Sequence, residues 1–395
     1  MERGKRNLTK NRADARGARR ICFVTGTRAE FGLMEGVLRR IRKDERFKLQ
    51  LVATGMHLDR SRGYSLNLLQ SYGWRFDRVI PWATSSSSPR ATAASTGRAM
   101  AGLANALAFL RSDIVLVTGD RAEAFAAASA GYIGGHLVAH IHGGDRAFGL
   151  IDDSLRHAIT KLAHIHFPAT AQSAHRIAKL GEDPWRIFRA GSPGLDGIRD
   201  RAAPVSELRI EFRGPLPQKF ALLVLHPQTA DDAEEAKIAQ GVLQAILATG
   251  FPGVVIVYPN NDPGSVGIAR TWDNVRSPKV ILRHNLTRDL FLGLMREAAV
   301  LVGNSSSGII EAASFGTPVI DIGSRQFGRE RGGNVIHVEE PGKELRAALA
   351  RIWRKGNPRR FPARNIYGGS GAIEKICDTL ASIDLDRFRR KLIAY

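Results

Sequence analysis

The feature that most constrains the fold is an alternation. Short apolar runs end on glycine or a small polar turn, and each is followed by a stretch whose apolar residues recur at helical spacing. Residues 21–26 form one such run, after which Leu33, Met34, Val37, Leu38 and Ile41 repeat three and four apart. Residues 49–54 read as a second strand and 76–80 as a third, and 85–89 as a polar loop. Met100, Leu103, Leu107 and Leu110 mark a helix, 113–118 a strand, 122–132 an alanine-rich helix and 137–141 another strand. A loop over 142–151 leads into helical periodicity over 152–163, then short strands at 165–168 and 187–190 with a helix between them. Such β–α alternation predicts parallel sheets with helices on both faces.

Residues 197–218 break the rhythm. They are charged, contain Pro204, Pro215 and Pro217, and lack a sustained period. A run at 220–225 restarts the alternation, with further strands at 254–258, 279–282, 300–302 and 319–322 and helices near 232–248, 288–298, 306–315 and 343–354. The chain of 395 residues suits two domains. The expected organisation is a basic disordered tail over 1–19, an N-terminal Rossmann-like domain over 20–198, a nucleotide-binding Rossmann-like domain over 199–370, and a helical segment over 371–395 that packs back on the N-terminal domain. A ligand is then expected in a central cleft, at the carboxyl ends of the strands.

Composition narrows the function classes. Two cysteines build no disulfide framework. Apolar runs are interrupted well before the ~18–20 residues of a membrane span. The Arg- and Lys-rich first 20 residues have no apolar core and so do not read as a secretory signal. A cytoplasmic location is the expectation. The net charge of +20 is spread through the chain, with no zinc-finger or aromatic-rich RNA motif beside it, so an anionic small molecule is expected rather than nucleic acid.

The chemical motifs fall just after strands. Gly303-Asn304-Ser305-Ser306-Ser307-Gly308-Ile309-Ile310-Glu311 is the sharpest. Small residues let backbone approach a ligand, and helix N-terminal N–H groups and serine hydroxyls point at anions. One helix cap needs one serine, not three. The segment therefore reads as the grip on the diphosphate and ribose of a nucleotide sugar, with Glu311 placed to accept sugar hydroxyls. Thr25-Gly26-Thr27-Arg28 brings a glycine turn and a planar guanidinium fork to another strand end. Gly119-Asp120-Arg121 puts a carboxylate and a guanidinium together at a third. His140-Ile141-His142-Gly143-Gly144-Asp145 and the following Asp152-Asp153 gather ionisable groups near one loop. No close cysteine or second histidine set accompanies them, so acid–base chemistry is expected, with no metal and no cofactor. His226-Pro227-Gln228-Thr229, Tyr258-Pro259-Asn260-Asn261-Asp262 and 323–331, which contains Arg325, are further polar loops at strand ends.

Together these boxes resemble the hydrolysing UDP-N-acetylglucosamine 2-epimerases of sialic-acid and legionaminic-acid biosynthesis, from about residue 20 to the C-terminus. The stretch from Asp152 through Leu162, Gly191-Ser192-Pro193-Gly194, Arg325-Gln326-x-Gly328-Arg329, Ile366-Tyr367-Gly368-Gly369 and Ser382-Ile383-Asp384 carry the resemblance. It implies a fold of glycosyltransferase B type and elimination of UDP to a 2-acetamidoglycal, followed by hydration to a free manno-configured sugar. The implied substrate is UDP-N-acetylglucosamine, or a UDP- or GDP-linked 2,4-diacetamido-trideoxy sugar, and homo-oligomers are common among such proteins.

Carried over by position, Asp120 and Asp152 match acids implicated in catalysis, and His142 and Asp145 share in the acid–base set. Arg28, Arg121, His226, Asn260, Ser305, Ser306, Glu311 and Arg325 match nucleotide-binding positions. His284 is placed near the nucleotide and His57 facing the sugar. The chain departs from the pattern with Glu30 in place of aspartate, Asp145 where relatives with His142 carry glutamate, and a one-residue insertion near Gly149. A glycosyltransferase of the same fold would also need an acceptor groove, a nucleotide-sugar sensor would keep the grip without needing Asp120 and Asp152, and a non-hydrolysing epimerase would leave the nucleotide on the product.

Overall fold

The structure is a computed structural model describing residues 17–59, 64–82, 89–146, 151–213, 216–259, 264–284 and 286–394. The expected tail, the polar loop at 85–89, the insertion near Gly149 and Asn260 fall wholly or mainly outside the described residues. The chain divides into two compact units. The first takes residues up to Asp145, Ile151–Asp196 and the stretch from Ser370 onward; the second is built on Gly197–Gly369.

The first unit runs β1 (Arg19–Thr25), α1 (Arg28–Lys43), β2 (Phe47–Ala53), α2 (Ser65–Ser71), β3 (Arg78–Val79), α3 (Pro89–Leu110), β4 (Ile114–Thr118), α4 (Ala122–Ile133), β5 (Leu137–Ile141), α5 (Ile151–Leu162), β6 (Ile165–Phe167) and α6 (Ala171–Lys179). All its strand pairs are parallel, in the order β3-β2-β1-β4-β5-β6. Every residue of β4 and β5 is buried, as strands covered on both faces require.

The second unit follows with α7 (Ile198–Arg201), α8 (Val205–Glu211), β7 (Ala221–Val224), α9 (Asp232–Ala248), β8 (Val254–Val257), α10 (Ser265–Asp273), β9 (Val280–Arg283), α11 (Arg288–Glu297), β10 (Val300–Gly303), α12 (Ser306–Ile310), β11 (Val319–Ile322), β12 (Val335–Val338) and α13 (Lys343–Trp353). Its sheet order, β12-β11-β10-β7-β8-β9, repeats the first when counted from its own first strand. Both units are thus doubly wound Rossmann-like sheets, each with a switch point beside its first strand.

The chain ends with α14 (Ala372–Ser382) and α15 (Leu385–Arg389). Ile376, Cys377, Leu380, Ile383, Leu385 and Phe388 enter the same core as Ile21, Phe31 and Val37. Arg186, fully buried, donates to Phe388 O and Arg390 O, and Lys391 Nζ reaches Glu182 at 2.8 Å and Lys161 O at 2.6 Å. The last residues are therefore stapled to the C-terminal end of α5.

Several elements differ from the sequence reading. Residues 187–190 form no strand; a 3-10 turn over Pro184–Arg186 leads into them, and one parallel bridge joins Ile187 to His166. Phe188 and Ala190 still donate to His166 O and Pro168 O, so the segment lies along β6 as an irregular edge. β12 escapes an apolar-run criterion because it is an edge strand, only its last residue buried, with His337 inside it. α10 contains Gly267, which disguises its period; a Cβ there would lie 1.8 Å from Asp232 O, so close packing on α9 demands glycine. The expected helix 306–315 breaks at Glu311 into α12 and a 3-10 turn over Ala312–Phe315. Among the described residues no helix is long and apolar enough to cross a membrane.

Candidate active site

At the first switch point, the turn after β1 is held by a threonine N-cap and a glutamate that reaches back to the residue before the cap. Thr27 caps α1 by accepting from Glu30 N, and the Glu30 carboxylate accepts from Gly26 N at 2.8 Å and Thr25 Oγ1 at 3.2 Å. Burial pushes the Glu30 carboxyl up to about 7, and the nearby Glu123 adds to it. Glu123 packs against Gly26 and Gly55, where any Cβ would come within 3.0 Å of it. Arg28 starts α1, and Arg121, at the end of the neighbouring strand, lies 3.4 Å from Glu123.

His57 is not where the sequence placed it. It is fully buried, with Nε2 3.0 Å from Thr25 Oγ1 and Nδ1 2.9 Å from Ser65 Oγ. Burial and then Arg28 push its pKa down to about 4, so it is a neutral strut behind the turn rather than a sugar contact.

The turns after β4 and β5 gather the ionisable groups singled out above. Gly119, at φ +75°, turns the chain so that Asp120 follows the strand end. Asp120 pairs with Arg156 of α5, whose side chain is 3% exposed, and Arg156 Nη1 also donates to His142 O at 2.9 Å. His142 itself has φ +61°, a strained setting for a residue with a side chain. Its N–H donates to Phe167 O, its Nδ1 lies 2.9 Å from Asp145 Oδ2, and its Nε2 lies 3.0 Å from Ser192 Oγ. Asp145 Oδ1 accepts from Ser173 Oγ at 2.7 Å. Asp145 is buried, with one carboxylate oxygen on His142 and the other on Ser173. Gly144 is required there: φ is +75° and a Cβ would lie 2.3 Å from Ser173 O. His140, its pKa pushed down to about 3 chiefly by burial, bonds Gly119 O and so ties the two turns together. Asp152 and Asp153 fill the first turn of α5, where negative charge suits the helix dipole.

The second unit's strand ends are organised differently. Gly303, at φ +136°, passes so close to Val224 O that a Cβ would lie 2.0 Å away. Asn304, fully buried, brackets His226: Oδ1 accepts from its N–H at 2.7 Å and Nδ2 donates to its carbonyl at 2.8 Å. The Asn304 carbonyl accepts from Gln326 Nε2 at 2.9 Å and from Arg325 Nη1 at 3.3 Å. Burial, then Arg325, pushes the His226 pKa down to about 3. Ser305 caps α12 and its hydroxyl lies 2.8 Å from that of Ser307; Ser306 hydrogen-bonds none of the described residues through its hydroxyl. Glu311, expected on the ribose, already takes Arg288 Nη2 at 2.6 Å. His284 lies against the Tyr258 ring, centroids 3.8 Å apart, while Tyr258 OH donates to Asp273. Glu235, fully buried, accepts from Gln228 N and Thr229 N and fixes the loop after β7.

The site residues absent from the sequence reading are Arg156, Ser192, Arg288, Asn304 and Glu235. Arg156, Ser192 and Asn304 lay inside motifs already singled out; their signal was a buried polar type next to a strand-end turn.

Comparison with known proteins accords with this geometry. Residues 39–381 match the family model described as UDP-N-acetylglucosamine 2-epimerase. The chain is 36% identical over 370 residues, 93% of its length and 97% of the relative's, to a UDP-N,N'-diacetylbacillosamine 2-epimerase (hydrolyzing) of Legionella pneumophila. It is 31% identical over 351 residues, 89% of its length and 91% of the relative's, to a UDP-N-acetylglucosamine 2-epimerase of Neisseria meningitidis. A crystal structure of UDP-GlcNAc 2-epimerase from Neisseria meningitidis bound to UDP-GlcNAc shares the fold at a TM-score of 0.78 and 20% identity, covering 91% of this chain and 99% of that one. With two doubly wound sheets of the glycosyltransferase B kind and a family match across most of its length, the chain belongs to the UDP-N-acetylglucosamine 2-epimerase family.

Proposed function

We propose that the protein is a hydrolysing nucleotide-sugar 2-epimerase that converts a UDP-linked 2-acetamido sugar into the free manno-configured sugar and UDP. The observation that carries this reading is the polar network at the first sheet's strand ends, Asp120–Arg156 and Asp145–His142–Ser192. Elimination followed by hydration needs more than one proton-handling group, and a nucleotide grip alone needs none.

In this mechanism the Asp120 carboxylate, paired with Arg156, takes the C2 proton while the C1–O bond breaks and its electrons leave with the diphosphate. By the resemblance, Ser305, Ser306 and Arg325, with His226 beside them, are assigned to that leaving group, and Arg28 is assigned to the nucleotide. The Tyr258–His284 stack offers a face to the base, and Arg288–Glu311 and Arg121 bound the ribose and sugar. Water then adds its oxygen to C1 and gives a proton to His142, while C2 takes a proton on its other face from Asp152. No cofactor or metal takes part in these steps.

The name of the Legionella relative favours a 2,4-diacetamido-trideoxy sugar and that of the Neisseria relative favours UDP-N-acetylglucosamine. Incubating the protein with each in D2O and following it by NMR tests the reading. UDP release without an acceptor and deuterium at C2 of the freed sugar are expected. A product that keeps its nucleotide would replace it with a non-hydrolysing epimerase, and no turnover of any UDP- or GDP-linked 2-acetamido sugar would end the enzyme reading.

A further inference from the structure

We infer that Ser192 and Asp145 are positioning residues that hold His142 as the Nδ1-protonated tautomer, leaving Nε2 as the proton acceptor reached through the Ser192 hydroxyl. The inference deepens the function proposed above and rests on it for the identity of the reaction.

Every polar group of His142 is engaged. The backbone N–H goes to Phe167 O, the carbonyl takes Arg156, Nδ1 faces Asp145 at 2.9 Å and Nε2 faces Ser192 at 3.0 Å. A carboxylate only accepts, so the Asp145 bond requires a proton on Nδ1. Neutral imidazole then has its lone pair at Nε2, and the Ser192 hydroxyl is the donor to it. Asp145 is fixed from behind by Ser173, which also receives Arg176 Nη1 at 3.2 Å. Ser192 follows Gly191 at φ +91° and precedes Pro193, so its backbone is rigid.

The charged and titratable groups around the ring are Asp145 on its own loop, His140 on β5, Arg156 on α5 with Asp120 beyond it, and Arg176 on α6 behind Ser173. Asp145 is the anion in direct contact with the ring. Ser192 is 1% exposed and occupies Nε2, so a proton reaching that nitrogen crosses the hydroxyl. The hydroxyl passes its own proton to Nε2 and takes one from water as that water's oxygen bonds C1; no charge is left on serine. The order acceptor–imidazole–hydroxyl is that of hydrolase triads, but the buried serine here relays a proton instead of attacking.

The test uses the full-length protein, with 15N-labelled histidine and kinetics on the turned-over UDP-sugar. His142 is assigned by the signal lost in His142→Gln. Wild type is expected to show a protonated Nδ1 and a bare Nε2 near neutral pH. Ser192→Ala should lower kcat about tenfold with KM within about twofold, and Ser192→Cys, a weaker donor of similar size, should fall between. Asp145→Asn should move the proton to Nε2 and lower kcat by about 10²-fold or more. A protonated Nε2 in the wild type, or Ser192→Ala with unchanged kcat, would overturn the inference. Failure of the wild type to release UDP from any sugar would instead remove the proposed function, and the imidazole signals would still decide the tautomer.

Discussion

The two units share a sheet order but use their strand ends in opposite ways. In the first, ionisable side chains are bonded to one another: Asp120 to Arg156, Asp145 to His142, Glu123 to Arg121. In the second, side-chain amides do most of the work of holding the backbone in shape, Asn304 around His226, Gln228 under Ser324 and Gln326 on Asn304, joined by the Glu235 carboxylate under the loop after β7 and the Arg288–Glu311 pair. Coupled ionisable groups can move protons. A loop braced by amides presents a fixed set of N–H and hydroxyl donors and changes little with pH. The same scaffold thus presents two differently bonded edges, the difference lying in the first few residues after each strand; under the proposed function the first edge reacts and the second grips.

That contrast is broken most directly at Asp120. Asp120→Asn keeps the shape and removes the charge, so UDP release should fall about 10³-fold while UDP binding, measured by calorimetry, is retained. Lost binding in a folded variant would show that the two edges do not divide the work. Arg156→Lys comes next. Lysine keeps a positive charge but lacks the fork that bridges Asp120 and the His142 carbonyl. Turnover should fall on the order of 10²-fold. Unchanged turnover would detach the Asp120–Arg156 pair from the chemistry.

On the gripping edge, Asn304→Ala leaves the His226 N–H and carbonyl without their partner, at a cost of about 1–3 kcal/mol in stability. UDP affinity should weaken about tenfold, while kcat at saturating substrate changes little because the grip acts on ground state and transition state alike. A fall in kcat with unchanged UDP affinity would reverse the assignment.

Much of the fold was legible because fully buried parallel strands leave unbroken apolar runs, as β4 and β5 do. Elements that earn their place through neighbours were not: β12 is half-buried on an edge, and α10 is helical despite Gly267 because α9 needs that close approach. The site follows the same division. The glycine turns after strands announced Asp120, His142 and Ser305. Their partners lie 36 residues away for Asp120–Arg156, 50 for His142–Ser192 and 23 for Arg288–Glu311. Spacing along the chain holds no record of such pairs; only the folded sheet order brings them together. His57 shows the converse, a polar residue beside a motif that the fold consumes as a strut.

The remaining contrast is in local stability in mild acid, and it should separate the units. The first contains His57, His140 and His164, held neutral by burial with pKa values of about 4, 3 and 3, and His166 is lowered too. The second contains His226 at about 3. A histidine whose folded pKa is depressed stabilises the fold above its unfolded value of 6.5, and that contribution is lost as pH falls from there toward the folded value. Each such group gives a slope approaching about 1.4 kcal/mol per pH unit. Glu30, raised to about 7, works in the other direction between its unfolded value of 4.5 and 7, and offsets about one histidine. The first unit should therefore open before the second between pH 6.5 and 5, seen by pulse proteolysis in urea with the fragments read by mass spectrometry. Earlier cleavage within Gly197–Gly369 would mean that amide bracing, not buried imidazole, is the acid-sensitive part of this molecule.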